Sequence, residues 1–480
     1  MTNKYDNYVD GQWLPAQTYL DNISPSDFSD VIGSYAQASI ADTEKAIAAA
    51  RTASDSWSLS SLEVRKAILD KIGNELIERS AEIGTILARE EGKTIPEGTG
   101  EVYRAGQFFQ YYGAETLRQM GELADSVRPG VEVEVRREPV GVVGIICPWN
   151  FPMAVAAWKV APALAYGNTV VLKPAESVPA SAWILAEIIS RSGLPNGVFN
   201  MVIGKGSEVG EVISKSKDVD AVSFTGSVKV GRAIAANVVQ NMGKLQLEMG
   251  SKNALVVLND ADLDLAVECA INGAFFGTGQ KCTASSRLIV EEGVHDQFIE
   301  KMTDAMSKLK VGNPLQEGTQ IGSMANQNQF QQVMAYIELA KSEGAALVAG
   351  GTSIDCQPEG YYIQPTLFSD TNNEMRINCE EIFGPVACVI KARDYDHALE
   401  MSNDTEFGLT SGIMTQSLAR SAHFKRHSKS GCVMVNLPTA GTDYHVPFGG
   451  RKASSYGSRE QGKYAAEFYT VVKTAYSRPY

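Results

Sequence analysis

The spacing of apolar residues changes its period along the chain. Over residues 41–89 the apolar positions recur with helical spacing, and the same spacing predicts a further helix over 101–118. Residues 131–137 instead alternate valine with charged residues, which is typical of a half-exposed strand. The outward charges of this strand predict a sheet edge that pairs with another segment.

Beyond residue 141 short apolar strands alternate with helical stretches such as 180–192. This alternation predicts an α/β fold that begins with a parallel, doubly wound sheet covered by helices on both faces. The pattern recurs after residue 253 and predicts a second α/β domain. The predicted strands are 142–146, 168–172, 197–202 and 220–224 in the first part, and 253–258, 286–290, 346–348 and 433–436 in the second.

Composition narrows the class of ligand. The 480 residues include 43 Lys and Arg against 56 Asp and Glu, so the formal net charge is −13. A nucleic-acid partner requires a basic footprint, which an acidic chain does not favour. The longest apolar runs, such as 142–147, are far too short to span a bilayer, and the first residues do not resemble a signal peptide. We therefore expect a cytoplasmic protein that binds a small molecule.

The seven cysteines are scattered and include no C-x-x-C pair. This pattern favours reduced thiols over a disulfide framework or a zinc ribbon. The segment between His423 and His427 contains no acidic residue, which favours the basic face of a helix over a metal site. We expect no bound metal.

Three turns that follow predicted strands are candidates for a dinucleotide site. Gly206 lies in a glycine-rich turn whose last glycine is one residue late for the dinucleotide fingerprint. Gly226 and Ser227 end a strand at the start of a helix, where free N–H groups and the helix dipole favour a pyrophosphate. Lys173 and Glu176 follow another strand and can both reach ribose hydroxyls. Each turn is also compatible with an ordinary structural role.

Three residues carry the candidate chemistry. Cys282 lies in a glycine-rich turn between an apolar helix and a strand, where a thiol can be exposed and its pKa lowered by nearby donors. Glu248 is a single carboxylate in an apolar stretch, and burial raises the pKa of such a group until it becomes a competent base. Asn150 lies in a turn between two prolines, and its amide can donate to an oxyanion. The structural alternatives are a small core thiol, an exposed strand-end glutamate and a plain turn.

Together these segments resemble the aldehyde dehydrogenase superfamily along essentially the whole chain. Seven motifs occur in the order that is typical of the family, which makes the resemblance specific. They are Pro148-Trp149-Asn150-Phe151-Pro152, Lys173-Pro174-Ala175-Glu176, Phe224-Thr225-Gly226-Ser227, Leu247-Glu248-Met249-Gly250, Gly279-Gln280-Lys281-Cys282, Glu381-Ile382-Phe383-Gly384-Pro385 and Pro447-Phe448-Gly449-Gly450.

The resemblance implies a Rossmann-like cofactor domain, an α/β catalytic domain and a β-strand oligomerisation arm. The strand over 131–137 and a C-terminal strand over 469–474 would form the arm. Family members are usually dimers or tetramers, which implies a homodimer or homotetramer here. The implied boundaries are 1–124 with 147–252 for the NAD(P)-binding domain, 253–435 for the catalytic domain, and 125–146 with 466–480 for the arm.

The resemblance also implies a role for each site residue. Cys282 would attack the aldehyde to form a thiohemiacetal, whose oxyanion the Asn150 amide and the Cys282 N–H would hold. After oxidation to a thioester, Glu248 would activate the water that hydrolyses it. The cofactor would be held by Lys173 and Glu176 at the adenosine ribose, by Trp149, Gly226 and Ser227 at the phosphates, by Gly206 near the adenine, and by Glu381 with Phe383 at the nicotinamide ribose.

One position departs from the family pattern. Ser251 stands where the family usually has a second glycine after the general base. Its β-carbon could restrict the movement of Glu248 or have no effect, and we expect activity to survive.

Parts of the chain are similar to bacterial α-ketoglutaric semialdehyde (2,5-dioxopentanoate) dehydrogenases, namely the stretch from 126–130 onward, 280–287 and 442–452. Arg104 and Lys281 could each meet the distal carboxylate of a dicarboxylic semialdehyde. Solvent exposure or a structural partner is the alternative for both cations. Apolar tunnel wall would come from Tyr111, Trp158 and Phe276, for which core packing is the alternative.

Alternatives stay open for substrate, cofactor and reaction. The alternative substrates are succinic semialdehyde or a broad range of aldehydes. Succinic semialdehyde is less favoured, because many succinic semialdehyde dehydrogenases carry an arginine where Trp158 stands. Glu176 favours NAD+, while Lys173 is compatible with NADP+. A CoA-acylating enzyme or a catalytically retired scaffold is less favoured, because Cys282, Glu248 and Asn150 are all present.

Overall fold

The computed structural model describes residues 3–118 and 120–479. Within these residues the strands form four sheets, which helices connect and cover. The strands are β1 (Lys4–Tyr5), β2 (Asn7–Val9), β3 (Gln12–Leu14), β4 (Tyr19–Ile23), β5 (Val31–Ala36), β6 (Gly121–Asp125), β7 (Glu132–Pro139), β8 (Val142–Ile146), β9 (Thr169–Lys173), β10 (Phe199–Met201), β11 (Ala221–Thr225), β12 (Lys244–Glu248), β13 (Asn253–Val257), β14 (Ser285–Glu291), β15 (Ala346–Ala349), β16 (Thr366–Thr371), β17 (Val386–Ala392), β18 (Thr410–Met414), β19 (Cys432–Val435), β20 (Ser455–Tyr456) and β21 (Thr470–Ser477). The α-helices are α1 (Ile40–Ser58), α2 (Leu62–Glu78), α3 (Ser80–Glu91), α4 (Ile95–Glu115), α5 (Pro152–Ala165), α6 (Pro179–Ser190), α7 (Glu211–Lys215), α8 (Val228–Gln240), α9 (Leu263–Phe275), α10 (His295–Ser307), α11 (Gln327–Ser342), α12 (Arg376–Cys379), α13 (Tyr395–Asn403), α14 (Leu418–His427) and α15 (Ala466–Tyr469).

The first sheet has the strand order β20-β12-β11-β8-β9-β10-β2-β3. Its five central strands, β12, β11, β8, β9 and β10, run parallel to one another. Alternate residues of these strands enter two separate cores: Val143 and Val170 pack with residues of α5, whereas Val142 and Val171 pack with residues of α1. Both faces are therefore buried under helices, and the predicted doubly wound sheet is confirmed.

The second sheet has the order β15-β16-β17-β14-β13-β18-β19, and every pair except β15 with β16 is parallel. Leu288 and Val290 of β14 enter one core while Ile289 enters another, so this sheet too is covered on both faces. The prediction of a second α/β part is confirmed.

The third sheet is antiparallel, with the order β21-β7-β6. Its pairing of Val135 with Thr474 confirms that the alternating strand meets the C-terminal strand. The prediction that this strand lies at a sheet edge is wrong, because β6 pairs with its other side. The division of the chain into the three implied domains stays a prediction.

The first 36 residues contribute short strands that the sequence analysis did not predict. A fourth sheet has the order β1-β5-β4, and β2 with β3 extends the first sheet beyond β10. Within the described ranges, 3–118 and 120–479, the structure has no helix that is long and apolar enough to cross a membrane.

Candidate active site

The site lies where the carboxyl ends of the first sheet meet the second sheet. Parallel strands end at the same edge, so the turns after β8, β9, β11 and β12 converge there. Residues 249–252 lead directly from β12 into β13 of the second sheet, and the turn before β14 carries the candidate nucleophile. The candidate residues are thereby brought together from segments far apart in sequence.

A tight left-handed turn presents Cys282. Gly277 and Gly279 have positive φ values of 63° and 65°. Glycine is required at position 279, because a β-carbon there would lie 2.2 Å from the carbonyl oxygen of Gly384. The N–H of Gly277 donates to Glu97 on helix α4 (2.7 Å). The turn is therefore fixed by contacts with both parts of the molecule.

The electrostatics of Cys282 differ from the expectation. Burial raises the pKa of its thiol above the ordinary value, and the charges of Glu381 and Glu248 raise that pKa further. Its own backbone N–H opposes the shift without cancelling it. The expected lowering of the pKa is wrong, because the folded chain buries the thiol and brings two carboxylates close to it from segments distant in sequence. Formation of the thiolate therefore requires a base or a change in these surroundings.

Asn150 joins the two sheets beside the nucleophile. Its side-chain amide donates to the carbonyl of Gln280 (2.9 Å), and the residue is buried. An amide nitrogen carries two N–H groups, so the same side chain can also donate to an oxyanion. Its backbone carbonyl accepts a hydrogen bond from the ammonium of Lys93 (2.7 Å).

A buried ion pair that the sequence analysis missed supports the Asn150 turn. Lys93 lies 2.7 Å from Glu101, and each is 5% exposed. Burial lowers the pKa of Lys93, but nearby carboxylates outweigh that effect and raise the pKa overall. Glu101 also accepts the N–H groups of Met153 (2.9 Å) and Ala154 (3.1 Å) at the start of α5. The signal available in the sequence is the position of Glu101, which lies one turn before Ala105 on the apolar face of α4.

Glu248 is the last residue of β12 and is only 3% exposed. Burial raises its pKa well above the ordinary value, and the charge of Glu460 raises it further. The Ser455 hydroxyl donates to its Oε2 atom (2.5 Å). Glycine at 449 leaves room for the carboxylate, because a β-carbon there would lie 2.7 Å from Oε1. The predicted buried glutamate with a raised pKa is confirmed, and the exposed alternative is excluded.

A second buried ion pair lies behind Glu248 and also escaped the sequence analysis. The ammonium of Lys159 forms an ion pair with Glu460 and donates to the hydroxyl of Ser223 (2.8 Å). Both charged residues are at most 2% exposed. The signal for Lys159 is its place in α5, which is otherwise apolar.

Ser251 holds the backbone carbonyl of the candidate nucleophile, Cys282. Its hydroxyl donates to the backbone carbonyl of Cys282, and the amide of Asn253 donates to the same carbonyl (2.8 Å). Its backbone N–H donates to Glu381 (2.8 Å). The departure from glycine thus adds a hydroxyl that contacts the nucleophile loop.

The cofactor candidates on the first sheet occupy adjacent turns. The N–H of Gly206 donates to the Glu176 carboxylate (3.1 Å), so two candidates from different turns meet at the surface. Ser227 is the N-cap of α8, and its side chain is exposed. The N–H of Gly226 donates to the backbone carbonyl of Glu248 (3.0 Å), which links this turn to the candidate base.

The remaining cofactor candidates come from both parts of the molecule. Lys173 is buried, which lowers its pKa, and its ammonium donates to the Pro174 carbonyl (2.8 Å). The rings of Trp149 and Phe383 meet edge to face, with centroids 5.3 Å apart. Burial raises the pKa of Glu381 to about 7.

Residues of one face of α4 converge on Tyr444. The Arg104 guanidinium lies 5.4 Å from the centroid of this ring, while the ring centroids of Phe108 and Tyr111 lie 6.4 and 5.9 Å away. These three residues therefore lie on one face of the helix. Tyr444 was missed, although it lies in the segment 442–452 that carries the subfamily similarity.

Phe108, Tyr111 and Tyr444 form an aromatic wall, which the other substrate candidates do not all join. The Trp158 ring extends this wall, because its centroid lies 5.9 Å from that of Phe108 and 5.7 Å from that of Phe448. Phe276 packs instead with the core of the second sheet. The ammonium of Lys281 donates to the Asn272 carbonyl (2.8 Å), and burial lowers its pKa to about 8.

Known proteins that are similar in sequence belong to a family in which such an arrangement of thiol, amide and buried carboxylate is expected. A profile described as "Aldehyde dehydrogenase family" matches residues 13–475. The chain belongs to the aldehyde dehydrogenase family. The resemblance inferred from the seven motifs is confirmed.

Individual aldehyde dehydrogenases are similar over the whole length. Alpha-ketoglutaric semialdehyde dehydrogenase of Bacillus subtilis is 40% identical over 99% of both chains. A crystal structure of betaine aldehyde dehydrogenase from Staphylococcus aureus in complex with NAD+ matches with a TM-score of 0.96 and 34% identity, covering 99% of this chain and 95% of that one. An NADP-dependent enzyme of E. coli matches with the same TM-score and identity, covering 99% and 98%. The expected aldehyde dehydrogenase fold is confirmed.

Proposed function

We propose that the chain catalyses the NAD(P)+-dependent oxidation of a dicarboxylic semialdehyde, such as α-ketoglutaric semialdehyde, to a carboxylate. The observation that carries the reaction is the junction of the two sheets, where Cys282, Asn150 and Glu248 meet. The similarity to an α-ketoglutaric semialdehyde dehydrogenase supports the substrate class.

In the first step Cys282 acts as the nucleophile. Its thiol gives its proton to a water molecule at the site, and the resulting thiolate adds to the aldehyde carbon to give a thiohemiacetal. The amide of Asn150 and the backbone N–H of Cys282 donate to the oxygen that gains negative charge. Because Lys93 and Gln280 hold Asn150 in place, these donors are oriented before the substrate arrives.

In the second step Glu248 acts as the base. It accepts a proton from water, which adds to the thioester, and the carboxylate product leaves as the Cys282 thiol is restored. A carboxylate whose pKa is raised by burial is a stronger base than an exposed one, which suits this task. The CoA-acylating and retired-scaffold alternatives gain no support from this geometry.

A nicotinamide dinucleotide fits the residues at the sheet edge. Ser227 begins helix α8, whose N–H groups suit a phosphate, and the exposed Glu176 suits a ribose. Glu381 is the candidate for the nicotinamide ribose. A β-carbon at Gly250 would lie 2.5 Å from one of its carboxylate oxygens, so glycine keeps that carboxylate accessible. When bound, the cofactor supplies the two-electron oxidation that converts the thiohemiacetal to the thioester. Glu176 favours NAD+ over NADP+, because a carboxylate repels a 2′-phosphate.

The substrate proposal rests on Arg104. Its guanidinium is half-buried beside Tyr444, where it can bind a distal carboxylate bidentately. Lys281 stays a weaker candidate, since its ammonium donates to a backbone carbonyl.

Betaine aldehyde is a second candidate substrate. The wall of Tyr111, Tyr444 and Trp158 suits a quaternary ammonium group through cation–π contacts. The structural similarity to a betaine aldehyde dehydrogenase supports it. Arg104 argues against it, because two cations repel each other.

We also propose a homodimer or homotetramer. The antiparallel sheet of β6, β7 and β21 exposes Leu123 (84%), Val472 (58%) and Tyr476 (62%), which a partner subunit would cover. Light scattering after size exclusion measures the assembly. We further propose a cytoplasmic location, where the seven free thiols stay reduced.

The first experiment follows reduced nicotinamide by absorbance, with NAD+ or NADP+ and a panel of aldehydes. The panel contains α-ketoglutaric, succinic and glutaric semialdehydes, betaine aldehyde and an aliphatic aldehyde. We expect a preference of about tenfold or more in kcat/KM for the dicarboxylic semialdehydes. Cys282→Ala should be inactive, and Cys379→Ala, which removes an exposed thiol, should retain activity.

The outcomes test the proposed reaction and the proposed substrate class separately. Preference for betaine or aliphatic aldehydes would contradict the substrate class while leaving the reaction intact. Activity in Cys282→Ala, or none in the wild type, would contradict the reaction itself. Arg104→Met should lose the preference for a distal carboxylate, whereas Arg118→Met, at an exposed position three residues beyond the end of the same helix, should keep it.

A further inference from the structure

We propose that Ser455 is a positioning residue that aims Glu248 and stabilises its carboxylate form. The proposal rests on the proposed function, in which Glu248 is the general base. It concerns a hydroxyl outside the seven family motifs, on a strand of only two residues.

The sheet itself brings the two side chains together. Strand β20 pairs antiparallel with β12, and Ser455 lies directly opposite Glu248 in that ladder. Directly opposite residues have β-carbons about 5 Å apart, which is within reach of a hydroxyl and a carboxylate. The N–H of Met249 donates to the Ser454 carbonyl (2.7 Å) and extends the same pairing. The contact is thus fixed by backbone geometry.

The direction of the hydrogen bond is also fixed. The Ser455 oxygen accepts the backbone N–H of Gly450 (2.6 Å) and lies 2.5 Å from Oε2 of Glu248. A hydroxyl has one hydrogen, and a backbone N–H can only donate. The hydroxyl hydrogen is therefore directed at the carboxylate, where it stabilises the ionised form.

Other titratable groups that act on Glu248 come from several elements. The charge of Glu460 raises the pKa of Glu248, whereas the charges of Lys159 and Arg459 lower it. The thiols of Cys282 and Cys432 lie close enough for the Glu248 charge to raise their pKa values. Burial and Glu460 favour the neutral acid, which cannot act as a base, and Ser455 opposes them by direct donation.

The consequence is a measurable shift in the pH profile. Only the ionised form of Glu248 accepts a proton from water, so kcat rises with pH through the pKa of this group. Removing the donor raises that pKa, and the acidic limb of kcat should move upward by about one pH unit. At a pH on that limb the variant should be about tenfold slower.

The experiment compares Ser455→Ala and Ser455→Thr with Ser454→Ala. Threonine keeps the hydroxyl and suits the extended backbone at this position (φ −149°). Ser454 is the adjacent buried serine, and its hydroxyl accepts the N–H of Gly408 (3.0 Å) instead. For each protein the pH profile of kcat and the pre-steady-state burst of reduced nicotinamide are measured with NAD+ and the best aldehyde.

We expect the limb to move in Ser455→Ala, to return in Ser455→Thr and to stay unmoved in Ser454→Ala. The burst should keep its wild-type amplitude in Ser455→Ala, because it reports formation of the thioester, which precedes the step in which Glu248 accepts a proton from water. A retained burst also shows that the protein is folded. An unmoved limb in Ser455→Ala, or an equal loss of burst and kcat in both Ser455 variants, would overturn the proposal. Failure of the proposed function is distinguishable, since the wild type would then lack turnover or an acidic limb.

Discussion

The proposed nucleophile, Cys282, and the proposed base, Glu248, act in different steps of the proposed reaction, so single substitutions can separate these steps. Glu248→Gln keeps the shape of the side chain and removes the base. We expect kcat to fall by about 10²–10⁴-fold while one equivalent of reduced nicotinamide per active subunit still forms in a burst. Stopped-flow absorbance measures both quantities. Glu208→Gln, a change at an exposed glutamate, is the control. An unchanged kcat in Glu248→Gln would exclude this residue as the base.

Ser251 offers a second test with one residue. Ser251→Ala removes the hydroxyl that contacts the Cys282 carbonyl, and Ser251→Gly also removes the β-carbon. We expect both to remain active and to lose about 1 kcal/mol of unfolding free energy. If the β-carbon restricts Glu248, glycine but not alanine will raise kcat. Denaturant unfolding and steady-state kinetics provide the two measurements.

The residue level also shows the limits of the sequence. The roles implied for Cys282, Glu248 and Asn150 follow from motif order. In the structure Asn150 contacts the residue two positions before Cys282, and the charge of Glu248 acts on the Cys282 thiol. The pKa of Cys282 could not be predicted, because Glu381 approaches it only in the folded chain. The same holds for Lys159 and its partner Glu460, which are 301 positions apart. Motifs record which residues are present, whereas their charges depend on neighbours that folding supplies.

At the level of elements, the Lys93–Glu101 pair connects helix α4 to the turn that carries Asn150. Lys93→Met leaves Glu101 buried without its partner, and Glu91, 3.6 Å from the ammonium, loses it as well. We expect a loss of about 3–5 kcal/mol in unfolding free energy, together with a lower kcat as Asn150 loses support. Urea denaturation is the measurement.

The matched control is Lys45→Met. Lys45 has 65% of its side chain exposed and pairs with Asp42 on the surface, so its loss should change stability by less than about 1 kcal/mol. Equal effects of the two substitutions would contradict a structural role for the buried pair.

Some strands could be predicted from the sequence much better than others. The central strands β8, β9 and β11 are continuous apolar runs, and they were predicted to within a residue or two because burial on both faces leaves a strong pattern. Strands β1 to β5 are short and mix polar with apolar residues, so no period identified them. Strand β7 was identified as a strand, but its neighbour β6 could not be, since its exposed residues carry no apolar face.

For the whole molecule, buried carboxyl groups predict how stability depends on pH. Burial raises the pKa of Glu91 to about 8, and the charge of Glu101 contributes, from an ordinary value of 4.5. Between these values the folded chain holds a proton that the unfolded chain releases, so stability falls as pH rises through this window. We expect the unfolding free energy to drop by roughly 2 kcal/mol or more between pH 5 and pH 8.

Glu91→Gln cannot titrate and should flatten this dependence. Denaturant unfolding at several pH values measures the slope, with Glu78→Gln, at an exposed position, as the control. A steeper slope in Glu91→Gln than in the wild type would show that the sign is wrong.

The direct passage from β12 to β13 has a further consequence. Glu248 ends one strand and Asn253 begins the next, so only four residues separate the candidate base from the sheet that carries the nucleophile loop. Replacing a side chain in this bridge changes local contacts, but adding or deleting a residue would rotate one half of the catalytic centre past the other. Homologous enzymes should therefore keep the length of this bridge even where, as at Ser251, the residue type departs from the family pattern. An engineer who wishes to enlarge the substrate range would do better to alter the aromatic wall than this bridge.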